Sequence, residues 1–209
     1  MKRGRILAAA ALLALLMSTA DGMVRSAAAG REAAGEVVRL HIVAASDETE
    51  DQARKLQVRD ALAQLLSPDL SVCRDKAEAE AWIAARLPEI EDCVREVLKR
   101  EGAPPAVTVR LATRHFPLRR YGRLTLPAGS YTALTITLGS GRGHNWWCVM
   151  YPPLCYSGDR PENEEEAIRF LEQRLSEETM DCLLSDGQTT FRSPLFEALQ
   201  RLISRGRTQ

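Results

Sequence analysis

The sequence has no excess of charge of either sign. Its 28 lysine and arginine residues balance 28 aspartate and glutamate residues, so the formal net charge is zero. A chain without net positive charge has no general electrostatic attraction to the phosphates of nucleic acid, and nucleic acid is not an expected partner. The hydrophobic share of 45% and the charged share of 27% are typical of a globular domain with a sizeable core.

The common motifs that bind metals and phosphates are also missing. There is no H-E-x-x-H and no C-x-x-C, and the three histidines are 74 and 29 residues apart, so no metal site is expected. Gly139, Gly141 and Gly143 do not complete G-x-G-x-x-G, and no Gly-Lys-Ser/Thr follows them. We expect these glycines to serve a loop that needs positive φ or close backbone approach, and we predict no cofactor.

No apolar run reaches the roughly 20 residues that a membrane-spanning helix needs. The N-terminus nevertheless has a directed pattern, in which three basic residues at positions 2, 3 and 5 precede twelve apolar residues from Ile6 to Met17. Small residues follow at positions 18 and 20 and again at 27–29. This order is typical of a secretory signal peptide. Residues 1–29 are therefore predicted to be a signal peptide, with an uncleaved membrane anchor as the alternative, and the chain is predicted to be exported.

Cysteine is scarce, and its spacing is informative in an exported chain. The five cysteines are Cys73, Cys93, Cys148, Cys155 and Cys182. Close pairs outside the cytoplasm favour disulfides over metal binding, so we predict a Cys148–Cys155 bond across a segment with two prolines. A second bridge, Cys73–Cys93, is a weaker prediction, because both residues lie on or near one helical region. The odd number leaves at least one thiol free or paired between chains.

Periodicity predicts a domain of helices and strands over residues 36–156. Alternating apolar residues predict a strand at 38–44, and a helix follows with Ser46 or Asp47 as its N-cap and Ser67-Pro68 as its end. A second helical region covers 75–100, with a kink or a new start at Pro88, and Gly102 is the expected residue after its C-terminus.

Period-two alternation returns after residue 106. It predicts a strand near 107–111, a hairpin in "LTLPAGSYTALTITLG" that turns at Pro127–Gly129, and a further strand in "WWCVMY". These elements indicate an α+β fold with an antiparallel or mixed sheet that is covered on one face by helices. Residues 157–209 are predicted to be a helical extension, with one long helix over 162–184 and a last helix over 193–205.

Two adjacent tryptophans, Trp146 and Trp147, stand out within "GSGRGHNWWCVMYPPLC". Neighbours on a strand point to opposite faces of a sheet, so one of the two can enter the core. The other is either an anchor for a protein partner or is covered by the C-terminal helices, and the sequence leaves both readings open.

The runs "LHIVAASDETEDQARKLQVRDAL" and "FPLRRYGRLTLPAGSYTALTITLGSGRGHNWWCVMYPPLC" resemble the stage II sporulation protein R family. The resemblance covers most of residues 37–156, and N-W-W-C-V-x-x-P-P-L-C is its most specific run. One departure is Ala45, which stands where the family commonly has Asn. The resemblance implies a non-enzymatic signal that is made in the forespore and secreted across the forespore membrane into the intermembrane space. There it activates the membrane-bound aspartic protease that processes pro-sigma-E.

The predicted contact surface follows from this reading. We expect contact with the protease through Trp146 or Trp147, and a weaker contribution from Arg39 and Asp47. The prolyl segment shapes the surface through Tyr151, Pro152 and Pro153. No catalytic residue is predicted. The alternative is a secreted hydrolase that acts on the cell wall through Cys148 with a histidine, or through a pair of carboxylates.

Overall fold

The computed structural model describes residues 2–154 and 164–184, which form six helices and six strands. In chain order the elements are α1 (Lys2–Glu36), β1 (Val38–Val43), α2 (Thr49–Leu70), α3 (Lys76–Ala85), α4 (Leu87–Arg100), β2 (Val107–Phe116), β3 (Arg119–Tyr121), β4 (Leu124–Leu126), β5 (Gly129–Leu138), β6 (Asn145–Tyr151), α5 (Glu164–Glu172) and α6 (Glu177–Leu184). The predicted α+β class is confirmed.

A mixed four-stranded sheet in the order β2-β5-β1-β6 forms the centre of the fold. Strand β1 pairs in parallel with β5 and antiparallel with β6, and β5 pairs antiparallel with β2. The predicted hairpin across Pro127–Gly129 is wrong, because β4 pairs with β3 in a separate two-stranded sheet. Strand β5 instead pairs with the equally long β2 along ten residue pairs, from Val107↔Leu138 to Phe116↔Gly129. The longer ladder satisfies more backbone groups than a three-residue partner can.

Helices or strands pack against all of the first face of the central sheet and part of the second, whereas the sequence predicted one covered face. Helices α2, α3 and α4 lie on the first face and share a buried apolar cluster with it. The second face carries another apolar cluster, to which α1, α5, α6 and the β3–β4 sheet contribute. The second cluster contains Val37, Phe116, Leu124, Leu126, Tyr131, Ala133, Val149 and Leu171 among its members.

Helix α2 begins later and ends later than its sequence predicted. Its N-cap is Glu48, because the side chains of Ser46 and Asp47 are used elsewhere. The Ser46 hydroxyl donates to Asp51 and accepts from the Glu48 amide. Pro68 lies inside the helix, which continues to the buried Leu70. A proline removes one backbone hydrogen bond of the helix, and the burial of Leu70 offsets that loss here.

The second helical region divides where Pro88 predicted a new start. Helix α3 ends at Ala85, and Pro88 occupies the first turn of α4, where its missing N–H is not needed. Gly102 follows the end of α4 with a φ of +66°, which confirms it as the residue that terminates the helix.

The predicted helix over 162–184 is two helices, α5 and α6. Ser176 begins the second, since its hydroxyl accepts from the Thr179 amide. Glu32 of α1 accepts hydrogen bonds from Ser176 and Thr179, and these bonds lower the pKa of Glu32, with Thr179 the largest cause. Ala29 and Ala33 are buried beside this contact. The end of α1 therefore packs on the domain, although the sequence predicted a leader and spacer there.

The predicted last helix over 193–205 lies outside the described residues, and so does Cys155. Within residues 2–154 and 164–184, no helix has both the length and the hydropathy to cross a membrane.

Candidate functional site

The glycine-rich loop between β5 and β6 lies against the segment that follows β1. The Gly143 amide donates to the Ala44 carbonyl at 2.9 Å, and the Ala44 amide donates to the His144 carbonyl at 3.4 Å. A Cβ on Gly143 would lie 2.1 Å from the backbone oxygen of Ser46. The loop therefore requires a glycine for close backbone approach, as the sequence predicted, and it holds the start of β6 against the end of β1.

Asp47 fixes the same loop from the β1 side. Its carboxylate accepts from the His144 amide at 2.6 Å, and it lies 2.5 Å from Nδ1 of the same residue. Lys55 of α2 donates to the His144 carbonyl at 3.2 Å. The side chains of Asp47 and His144 are both exposed, so Asp47 is available at the surface as well as structurally engaged.

The two tryptophans lie on opposite faces of β6, as period two predicted. Trp146 is half-buried against the α2–α4 side, where the guanidinium of Arg59 sits 4.5 Å from its ring centre. Trp147 is half-buried on the second face. There it stacks on His41 with ring centres 3.8 Å apart, and it meets Phe116 edge-on at 4.7 Å. Trp147 thus has sheet residues beneath it and retains an exposed part.

His41 of β1 is half-buried beside Trp147. Its Nε2 lies 2.7 Å from the Asn145 side-chain oxygen, so the ring is fixed by both a stack and a hydrogen bond. Burial lowers the pKa of His41, the bond to Asn145 opposes that shift, and the charge of Arg114 adds to it. A neutral ring stacked on Trp147 is the favoured form.

The side chain of Arg39 is fully buried among aromatic rings. Its guanidinium lies over the rings of Phe116 at 4.3 Å and Tyr131 at 4.9 Å. Nε donates to the Cys148 carbonyl at 3.1 Å, and Nη2 donates to the Tyr121 hydroxyl at 2.6 Å. Burial lowers the pKa of this arginine. The π faces and oxygen acceptors stabilise a buried cation here.

The Arg39 network reaches the backbone of the tryptophan strand. The Tyr121 hydroxyl donates in turn to the Trp147 carbonyl at 3.3 Å. Arg39 therefore fixes two consecutive carbonyls of β6, that of Cys148 directly and that of Trp147 through Tyr121. Arg39 was predicted as a contact residue, and the structure gives it the geometry of a positioning residue.

The prolyl segment lies mostly inside the fold. Tyr151 is 1% exposed, and its hydroxyl donates to the Cys73 carbonyl at 3.1 Å. Burial raises the pKa of Tyr151 to about 12. Pro152 is buried and Pro153 is half-buried. These residues support the tryptophan strand, and their part in partner binding stays a prediction.

The cysteines differ in state. Cys73 and Cys93 are not joined by a disulfide, so the prediction of a Cys73–Cys93 bridge is wrong. Cys148 is not among the free cysteines and is 2% exposed. Its predicted partner Cys155 lies outside the described residues, and the pairing stays a prediction.

The hydrolase alternative needs a histidine beside Cys148, and His41 of the neighbouring strand does not fill that place. In the β1–β6 register, Cys148 stands opposite Leu40 and His41 stands opposite Trp147, which places Cys148 and His41 on different faces of the sheet. Within residues 2–154 and 164–184, no group of three His, Cys, Asp or Glu side chains could hold a metal ion.

The balanced total of charges hides an uneven distribution of charge along the chain. Residues 102–158 contain six arginines and no aspartate, glutamate or lysine. Strands β2 to β6 all lie in this stretch, so the sheet is basic and the acidic residues are concentrated in the helices. Counting charge by segment would have found this asymmetry from the sequence alone.

The fold and site define an α+β domain with a supported aromatic edge on a mixed sheet. A sequence model of stage II sporulation protein R (spore_II_R) matches residues 34–160, more than half of the chain, and the chain belongs to this family. It is similar to stage II sporulation protein R of Bacillus subtilis (strain 168), with 37% identity over 135 residues. That alignment covers 63% of this chain and 60% of the relative, and no solved structure matches.

Proposed function

We propose that this chain is an exported sporulation signal that activates the membrane-bound aspartic protease which processes pro-sigma-E. The family match carries the proposal, since residues 34–160 include all six strands and the Trp146–Tyr151 segment. The basic and apolar N-terminal pattern supports export into the intermembrane space. The protein acts by being recognised, and it performs no chemistry of its own.

Trp147 is the proposed anchor of recognition. It is half-buried on a stack with His41, and its carbonyl is fixed through Tyr121. An aromatic side chain that is already ordered loses little conformational entropy on binding, which is the usual property of an interface hot spot. Trp146 has the same size and neighbours it in sequence, but it faces α2 and Arg59.

A Cys148–Cys155 disulfide is proposed to fix the end of this surface. The two residues would close a short loop, for which the chain-entropy contribution is about 2 kcal/mol. Peptide mapping of the secreted protein under denaturing, non-reducing conditions tests the bond. A Cys148 that is alkylated without prior reduction would contradict it.

Co-expression in a non-sporulating host tests the function directly. The host would produce this chain with its export signal, the membrane protease and pro-sigma-E, and processing would be followed on immunoblots. Processing that appears only with this chain supports activation. Processing that proceeds equally without it would rule the proposal out.

The tryptophans provide the residue-level prediction in the same assay. Trp147→Ala is expected to reduce processing about 30-fold, the equivalent of a 2 kcal/mol hot spot. Trp146→Ala removes a side chain of the same size from the other face and is the matched control, with an expected change below threefold. Circular dichroism of both purified variants checks that each is folded. Equal losses in the two variants would contradict Trp147 as the anchor.

A further inference from the structure

The arginines of β2 share one sheet face with Trp147. The register pairs Arg110 with Thr135, Thr135 with His41, and His41 with Trp147, which makes one row across all four strands. Because paired residues in adjacent strands point to the same side, this row lies on one face. Arg114 also lies on this side of β2, and its charge acts on His41. A cationic end and an aromatic end therefore belong to one continuous surface.

Three arginines on β2 and β3 have no acidic partner among the described residues. Arg110, Arg114 and Arg119 are exposed, and none forms an ion pair with a residue in the described ranges 2–154 and 164–184. Arg123 differs, because it pairs with Glu164 and Glu165 of α5. The complementary carboxylates for the other three are thus not supplied within the described domain.

Two buried polar atoms lie in the same row. Thr135 is 6% exposed, and its hydroxyl oxygen has no hydrogen-bond partner among the described residues. Nδ1 of His41 is also buried and also has no partner among the described residues. Buried polar groups usually have partners, so these two atoms make the middle of the row polar between the cationic Arg110 and the aromatic Trp147.

We propose that this surface, defined by Arg110, Arg114, His41, Thr135 and Trp147 and called here the basic sheet face, binds an acidic segment of a partner protein. The inference rests on the proposed function for the identity of that partner as the protease it activates. Guanidinium groups pair with carboxylates through two parallel hydrogen bonds, and an adjacent aromatic ring supplies the apolar contact that orients the segment. An acid-free stretch of strands favours association with negative charge and excludes basic partners.

Charge reversal in the co-expression assay gives the first arm of the test. The Arg110→Glu/Arg114→Glu variant is expected to lower processing at least tenfold, whereas Arg110→Lys/Arg114→Lys lowers it about threefold because lysine cannot pair bidentately. The matched control is Arg95→Glu/Arg100→Glu on the exposed side of α4, which carries the same change in net charge on the opposite face of the fold. Normal processing by the reversed β2 variant overturns the inference and leaves the proposed function intact.

A second arm does not depend on the protease. The purified chain, labelled with ¹⁵N, is titrated with a short glutamate-rich peptide and, separately, with a lysine-rich peptide. We expect shifts of the Arg110 and Arg114 side-chain signals and of the Trp147 indole with the acidic peptide alone. Shifts confined to other residues overturn the basic sheet face even if processing works, and shifts on it support the inference even if processing fails.

Anionic vesicles test whether the basic sheet face binds a lipid surface instead of an acidic protein segment. A lipid surface responds to net charge and not to bidentate geometry, so lysine would replace arginine fully there. Vesicles of phosphatidylglycerol that bind the arginine and lysine forms equally, together with equal processing by both forms, would assign the face to the membrane and overturn a protein partner.

Discussion

Replacing Arg39 with alanine is expected to lower the free energy of unfolding by about 3–5 kcal/mol. The side chain is fully buried, so its loss leaves a cavity among Phe116, Tyr131 and Tyr121. It also leaves the Cys148 carbonyl without its bond from Nε. Urea unfolding of the purified variant, followed by tryptophan fluorescence, measures the change.

The burial of the Arg39 cation itself costs free energy, because its acceptors among the described residues are the neutral oxygens of Cys148 and Tyr121. Arg39→Met separates the two contributions, since it keeps most of the volume and removes the charge. We expect it to cost only about 1–2 kcal/mol, the value of the lost hydrogen bonds less the relief of desolvation. Arg110→Ala, on the exposed edge strand, is the surface control and should change stability by less than about 0.5 kcal/mol. A loss below 1 kcal/mol in Arg39→Ala would show that the aromatic surroundings do not stabilise the cation.

The same variant links stability to the site. Arg39 holds the carbonyl of Cys148 directly and that of Trp147 through Tyr121. Without it, the tryptophan strand loses two of its fixed points, and the Trp147 ring becomes more solvated. A red shift of tryptophan emission in folded Arg39→Ala, absent from Arg110→Ala, is the expected signature.

The local sequence pattern predicted much of the secondary structure, but it did not predict which strands pair. Alternation found β1, β2 and β6, and the residues Pro88 and Gly102 marked helix boundaries through their own backbone restrictions. The hairpin at Pro127–Gly129 failed because pairing is decided between strands that are distant in sequence. Strand β5 has a better partner in β2, and no local turn signal reports that.

The candidate site was predicted in part for the same reason. Period two correctly separated Trp146 from Trp147, and the glycine-rich loop was correctly read as a close approach of backbones. The same alternation placed Arg39 at the surface, because a polar residue between apolar ones indicates a solvent-facing position when only one face is covered. Here the second face is covered around Arg39 as well, and the arginine is buried among aromatic rings that come from residues about 80–90 positions further along the chain.

Gly143→Ala is expected to destabilise the fold by about 2–3 kcal/mol, because the added methyl group has no space. It would lie 2.1 Å from the oxygen and 2.5 Å from the carbonyl carbon of Ser46, and both are backbone atoms that cannot rotate away. Relief requires the loop to separate from the segment after β1, which lengthens the bond between the Gly143 amide and the Ala44 carbonyl. Thermal unfolding of the purified variant gives the loss, and hydrogen exchange at the Gly143 amide reports the local opening.

Substitutions of two other glycines distinguish steric overlap from backbone strain as the cause of this loss. Gly102 has a φ of +66° but open space around its Cβ position, so Gly102→Ala should cost about 1–2 kcal/mol from backbone strain alone. Gly35 lies in α1 with nothing within 4 Å of that position, and Gly35→Ala should be neutral or stabilise by up to about 1 kcal/mol. The order of cost, Gly143 above Gly102 above Gly35, follows only if the loop truly touches the Ser46 backbone. If Gly143→Ala proves as mild as Gly35→Ala, the loop does not hold β6 against β1, and another contact must position the tryptophan strand.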